Sequence, residues 1–176
     1  MSFINHDKAR LWGLLFFAKM ALSERKRNGG VKMKYMILVS HGTFAQGLHS
    51  VLKMLAGGNR EDILSTSLED GMGADEFKER FAALAATVTK EDEILLLADI
   101  IGGSPLTTAL EVLTERGMLK QTMTFGGMNL PMALTAALMK DALDHETLKV
   151  SLLSESREAM KEVVLDLAAD DSEEEI

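Results

Sequence analysis

Short apolar runs alternate with helix-spaced apolar positions along most of the chain. "KYMILVS" (34–40) is an uninterrupted run suited to a strand covered on both faces. From Thr43 to Leu55 the apolar residues Phe44, Leu48, Val51, Leu52 and Leu55 recur at helical spacing, and Gly57-Gly58 stops the helix. "DILSTSL" (62–68) reads as a second strand and "EDGMG" as a loop. Ala74 to Lys90 is expected to be a helix, with Phe77, Phe81, Leu84 and Val88 on one face. "DEILLLAD" (92–99) is the most strand-like run. "GGSP" then opens a helix through Leu106, Leu110 and Leu113 to Gly117, with Ser104 expected as N-cap and Pro105 at the first helical position.

"LKQTMTF" (119–125) is a fourth strand, followed by a Gly126-Gly127 turn. Asn129 is placed to cap a helix that carries Pro131 in its first turn and runs to about Asp141, and a further helix spans His145 to about Met160. "KEVVLDL" (161–167) suits either an extension of that helix or a short last strand, antiparallel to the rest, because Val163, Leu165 and Leu167 alternate. Four strands interleaved with helices imply an α/β fold: a doubly wound, mainly parallel sheet flanked by helices. In such sheets functional groups gather at the carboxyl ends of the strands, where strand order reverses.

Composition narrows the choices. The chain has 176 residues, 47% of them hydrophobic, enough for one domain with a proper core. A net charge of −8 argues against nucleic acid as a partner, since phosphate binding needs a basic face. The absence of cysteine removes disulfides, thiolate metal sites and thiol nucleophiles, and suits a reducing compartment. The apolar stretches are shorter than the roughly 18 residues that a membrane span requires.

The first 32 residues stand apart. They carry seven Lys/Arg against two Asp/Glu, whereas residues 33–176 are strongly acidic. Gly29-Gly30 can be encoded by a purine-rich ribosome-binding stretch a few nucleotides before the codon of Met33. Residues 1–32 are therefore expected to be translated leader, with a disordered extension or a basic amphipathic helix on a membrane surface as the other readings. The globular domain is expected to occupy 33–168, and "ADDSEEEI" (169–176) forms an acidic tail.

Three strand ends hold the chemistry: Ser40-His41-Gly42, then Asp99 to Ser104, then Gly126 to Asn129. If the first and third strands are neighbours, His41 and Asp99 share one rim. An imidazole that donates one N–H to a carboxylate is locked in one tautomer, leaving the other nitrogen free to attack. Helix N-termini near Thr43 and Ser104 would offer backbone N–H groups and positive dipole ends to a phosphoryl group. Together these describe a phosphohistidine site. His49 reads as a boundary residue and His145 as solvated polar context, while His6 lies in the leader; they are too scattered to suggest a metal site. No G-x-G-x-x-G or Walker pattern occurs and aromatic residues are 5%, which disfavours a nucleotide or flavin binder.

With "ILVSHG", "LLLADIIGGSP" and "GGMNLPM" in that order, the chain resembles the IIA component of the mannose-type (mannose–fructose–sorbose) sugar phosphotransferase system, over about Met33 to Leu167. The resemblance implies that His41 carries the phosphoryl group, Asp99 orients it and Ser104 lies at the phosphate; Gly42 and Thr43, beside His41, are expected to help hold the anion. It implies a cytoplasmic phosphotransferase component without cofactor. The implied donor is the histidine-containing carrier HPr and the acceptor a separate IIB component, which serves the membrane components IIC and IID. It also implies a homodimer that exchanges a C-terminal strand, for which "KEVVLDL" is the candidate. Two alternatives stay open: the related phosphoprotein of dihydroxyacetone kinase systems, and a regulatory module read through its phosphorylation state.

Overall fold

The computed structural model describes residues 32–58 and 60–164. Four strands, β1 (Lys34–His41), β2 (Ile63–Leu68), β3 (Glu93–Ala98) and β4 (Thr122–Phe125), form one sheet in the order β2-β1-β3-β4. Every pairing is parallel, as the alternation of strands and helices requires. Five α-helices cover the sheet among the described residues: α1 (Phe44–Leu55), α2 (Ala74–Leu84), α3 (Ser104–Glu115), α4 (Leu130–Met139) and α5 (His145–Glu158).

Side chains alternate across the strands and so build two cores. Met36, Leu38, Leu95 and Leu97 pack beneath α1, α4 and α5. Ile37, Val39, Leu96 and Ala98 pack beneath α2 and α3, against the tilted ring pair Phe77–Phe81. Burial on both faces explains why these strands read as continuous apolar runs. The doubly wound expectation is met, and the reversal of strand order falls between β1 and β3.

Several boundaries differ from the expected ones. The helix read over 74–90 ends at Leu84 and tightens into a 3₁₀ turn, Ala85–Thr87. Asp92 causes this: its carboxylate accepts from the Thr89 N–H and hydroxyl and from the Met33 N–H, turning the chain into β3. Another 3₁₀ turn, Leu119–Gln121, shortens the fourth strand from its N-terminal side. Gly103, in extended conformation, takes the N-cap position expected of Ser104, which becomes the first helical residue of α3. Asn129 caps α4 as expected, accepting from Met132 N–H at 3.0 Å, and Asp144 caps α5 through Glu146 and Thr147.

After α5, residues 161–164 belong to neither a helix nor a strand, and Val163 and Val164 are exposed. Residues 165–167 of the candidate last strand, the leader up to residue 31 and the acidic tail lie outside the described residues. No helix among the described residues is long and apolar enough to cross a membrane.

At the amino end of the sheet, opposite the strand ends that carry His41 and Asp99, lies a buried charge cluster. Lys140, with 0% side-chain exposure, places its ammonium 2.6 Å from Asp62 and 3.0 Å from Asp141, and also donates to the carbonyl of Lys34. Arg60 reaches the same two carboxylates and the Ala137 carbonyl. The cluster ties the start of β1 and the entry to β2 to the end of α4.

Candidate functional site

The strand order brings together the residues that the sequence singled out. His41 is the last residue of β1, and Asp99 directly follows β3, its neighbour in the sheet. Oδ2 of Asp99 accepts twice from His41, from the backbone N–H at 2.8 Å and from ring Nδ1 at 2.9 Å. Oδ1 accepts from the N–H of Ile100 at 2.8 Å. A carboxylate facing Nδ1 requires the proton on that nitrogen, so Nε2 carries the lone pair. Nε2 has no hydrogen-bond partner among the described residues, and the side chain is 43% exposed.

Partial burial alone would raise the pKa of Asp99. The hydrogen bonds from the His41 backbone and ring and from Ile100 N–H outweigh it, and the carboxyl lies below its ordinary value. Asp99 is thus a fixed anion that holds the imidazole by its backbone and ring together.

The turn after His41 depends on Gly42, whose φ of +58° lies in the left-handed region, and whose N–H donates to Leu68 O at 2.9 Å. Thr43 follows at the N-cap of α1, exposed, and its side chain makes no capping bond. That cap comes instead from Ser40, whose Oγ accepts from Ala45 N–H at 2.7 Å. Sequence reasoning missed this serine. The available signal was a polar residue at the buried end of an apolar run, opposite another serine, Ser67, in the register of β2.

On the other side, Gly103 lies against the imidazole: a Cβ at this position would stand 2.8 Å from His41 Cε1. The next residue, Ser104, opens α3 on this rim, and its exposed hydroxyl has no protein partner among the described residues. The β4 end closes the loop from behind. Gly127 N–H and Met128 N–H donate to the carbonyls of Asp99 and Ala98, and a Cβ at Gly126 would overlap Ile101. The loop after β3 is therefore held from two sides, while Ile100 and Ile101, like Phe44 at the start of α1, stay exposed.

Of the other histidines, His49 is half-buried and its Nδ1 pairs with Ser65 Oγ at 2.9 Å; burial, and after it Lys53, lowers its pKa. His145 begins α5 at the far end of the sheet, near Lys34 and Lys120. His6 lies outside the described residues. No group of three or more His, Asp or Glu side chains is placed to hold a metal ion among the described residues.

The architecture defines a doubly wound α/β protein with a histidine–aspartate pair at its switch point. Residues 35–152 match the family model of the PTS system fructose IIA component. The chain is 24% identical over 126 residues to the PTS system fructose-specific EIIA component of Bacillus subtilis, covering 72% of this chain and 84% of that protein. The mannose/sorbose-specific IIA subunit of Enterococcus faecalis superimposes with a TM-score of 0.63 at 26% identity, covering 77% of this chain and 97% of that one. EIIA from Streptococcus agalactiae also gives 0.63, at 25% identity, covering 74% and 97%. The chain belongs to the PTS fructose IIA family and is a IIA phosphocarrier component of a sugar phosphotransferase system.

Proposed function

We propose that His41 is the phosphoryl-carrying residue and that HPr and a IIB component are its donor and acceptor. The observation that carries this reading is the Nδ1–Asp99 pair at 2.9 Å, which leaves Nε2 as the exposed nucleophile. The Nε2 lone pair attacks the phosphorus carried by the donor histidine. A new phosphorus–nitrogen bond forms as the old one breaks, its electron pair returning to the donor imidazole. Asp99 keeps the Nδ1 proton in place throughout and stabilises the positive charge that develops on the ring. Thr43 and Ser104, at the N-termini of α1 and α3, offer the incoming oxygens backbone N–H groups and a free hydroxyl, while Gly42, whose own N–H is taken by Leu68 O, shapes the turn that brings Thr43 there.

The exposed Phe44, Ile100 and Ile101 give a protein partner an apolar lip on which to close over the phosphoryl group and exclude water. The reaction takes place in the cytoplasm, and the IIB partner passes the group on toward sugar entering through IIC and IID. The protein acts as a homodimer, with the exposed 161–164 segment and its continuation supplying the exchanged strand.

Incubation with phosphoenolpyruvate, enzyme I and HPr should place an acid-labile, base-stable phosphate on the wild-type chain and none on His41→Ala. A label that persists in His41→Ala would refute the assignment.

A further inference from the structure

The end of β1 holds a second feature, on the opposite side of the main chain from the imidazole. Ser40 precedes His41, so strand alternation sends its hydroxyl to the other face. It is fully buried, as is Ser67 beside it on β2. Nearby positions of the strand are filled by Leu38 and Val39, so an apolar residue would suit this position on packing grounds. A buried hydroxyl is unfavourable unless hydrogen-bonded, and this pair is bonded completely. Ser40 Oγ accepts from Ala45 N–H at 2.7 Å, and its own hydrogen is within reach of Ser67 Oγ at 2.9 Å and of the His41 carbonyl at 3.0 Å. Ser67 in turn donates to Oε1 of Gln46, on the first turn of α1.

We infer that Ser40, Ser67 and Gln46 form a clamp that positions His41 for phosphoryl transfer. The inference rests on the reading of His41 as the phosphoryl carrier. The main chain of residues 40–46 is gripped from two sides. Asp99 holds His41 from β3, and the Ser67–Gln46 pair holds Ser40 and the first turn of α1 from β2. Between these grips lies the left-handed turn at Gly42, whose N–H is held by Leu68 O. Loss of the Ser67–Gln46 bonds leaves the ladder to β2 and the Gly42 N–H on Leu68 O in place but frees the first turn of α1, and the ring loses its fixed alignment with Oδ2. Ser40 and its partners touch neither phosphorus nor imidazole, so they are positioning residues.

The test combines kinetics with a measurement that needs no donor. Ser40→Ala and Gln46→Ala should each slow phosphoryl transfer from HPr, by about 10-fold for Ser40→Ala, a fraction of what an ångström-scale misplacement costs. KM for HPr should stay unchanged. Ser40→Thr, which keeps the hydroxyl, should recover most of the rate. Nitrogen-15 spectra of the His41 ring should show one Nδ1–H tautomer in the wild type and a tautomer mixture in both alanine variants. Gln46 is only half-buried, so its variant serves if Ser40→Ala does not fold. Wild-type kcat together with a single tautomer in either folded alanine variant would overturn the clamp, even where thermal stability falls. A wild-type chain that takes no label would instead refute the role of His41, and the ring spectra would still decide whether the clamp orders it.

Discussion

At Gly103 the missing side chain matters more than most side chains present. A methyl group there would sit 2.8 Å from His41 Cε1, closer than carbon atoms tolerate, and the main chain on both sides is already committed. Gly103 N–H donates to Ile100 O, and Gly103 O accepts from Thr107 N–H in the first turn of α3. The ring therefore has to shift, and its alignment with Asp99, the partner that sets its tautomer, shifts with it. Gly103→Ala should reduce phosphoryl transfer by about 100-fold, the scale of an ångström displacement at a reacting group. Its thermal unfolding should change little, because the site is at the rim. Single-turnover labelling and a melting curve distinguish this from general destabilisation, and an unchanged rate would show that the ring has slack.

Among the elements, β1 and β3 were readable because burial on both faces wrote them as unbroken apolar runs at 35–39 and 94–98. Their helices were readable from apolar spacing, but two ends were not. Val88 keeps helical spacing with Leu84 although the helix ends at Leu84, and the Asp92 carboxylate acts through contacts with Thr89 and Met33 that a linear reading does not display. "GGSP" points to Ser104 as the cap, but the close approach to His41 favours a residue without a Cβ, and Gly103 takes the position. The histidine–aspartate pair was legible once β1 and β3 were taken as neighbours. The Ser40–Ser67 pair was not, because two serines 27 positions apart acquire meaning only through register. The open edge of β4 and the exposed Val163 and Val164 belong to this scale too. On the proposed homodimer, Val163→Asp with Val164→Asp should shift the protein from dimer to monomer in sedimentation; an unshifted dimer would place the contact elsewhere, and a monomeric wild type would refute the dimer.

Across the whole molecule, chemistry and anchoring occupy opposite ends of the sheet. Arg60 and Lys140 hold the Asp62 carboxyl at about 2 although burial alone would raise it. A folded pKa below the unfolded one stabilises the native state at neutral pH, here by about 2 kcal/mol. That contribution is present above the ordinary carboxylate value and is lost as pH falls from about 4 to about 2. Burial pulls the Lys140 ammonium down in spite of Asp141 and Asp62, so the cluster is held in balance rather than in surplus. Lys140→Ala leaves both carboxylates without that cation and should cost about 3–5 kcal/mol in urea unfolding. Phosphate uptake per folded molecule should stay near wild type; a selective loss of uptake would mean that the two ends communicate.

Nε2 of His41, without a partner among the described residues, also bears on the order of events. On the proposed reading of His41 as carrier, donor and acceptor each bring a reacting atom to this same Nε2, so they can visit only in turn. Steady-state kinetics should accordingly give parallel double-reciprocal lines, and a large excess of unphosphorylated acceptor should slow loading by crowding the donor out. Intersecting lines would require a second doorway.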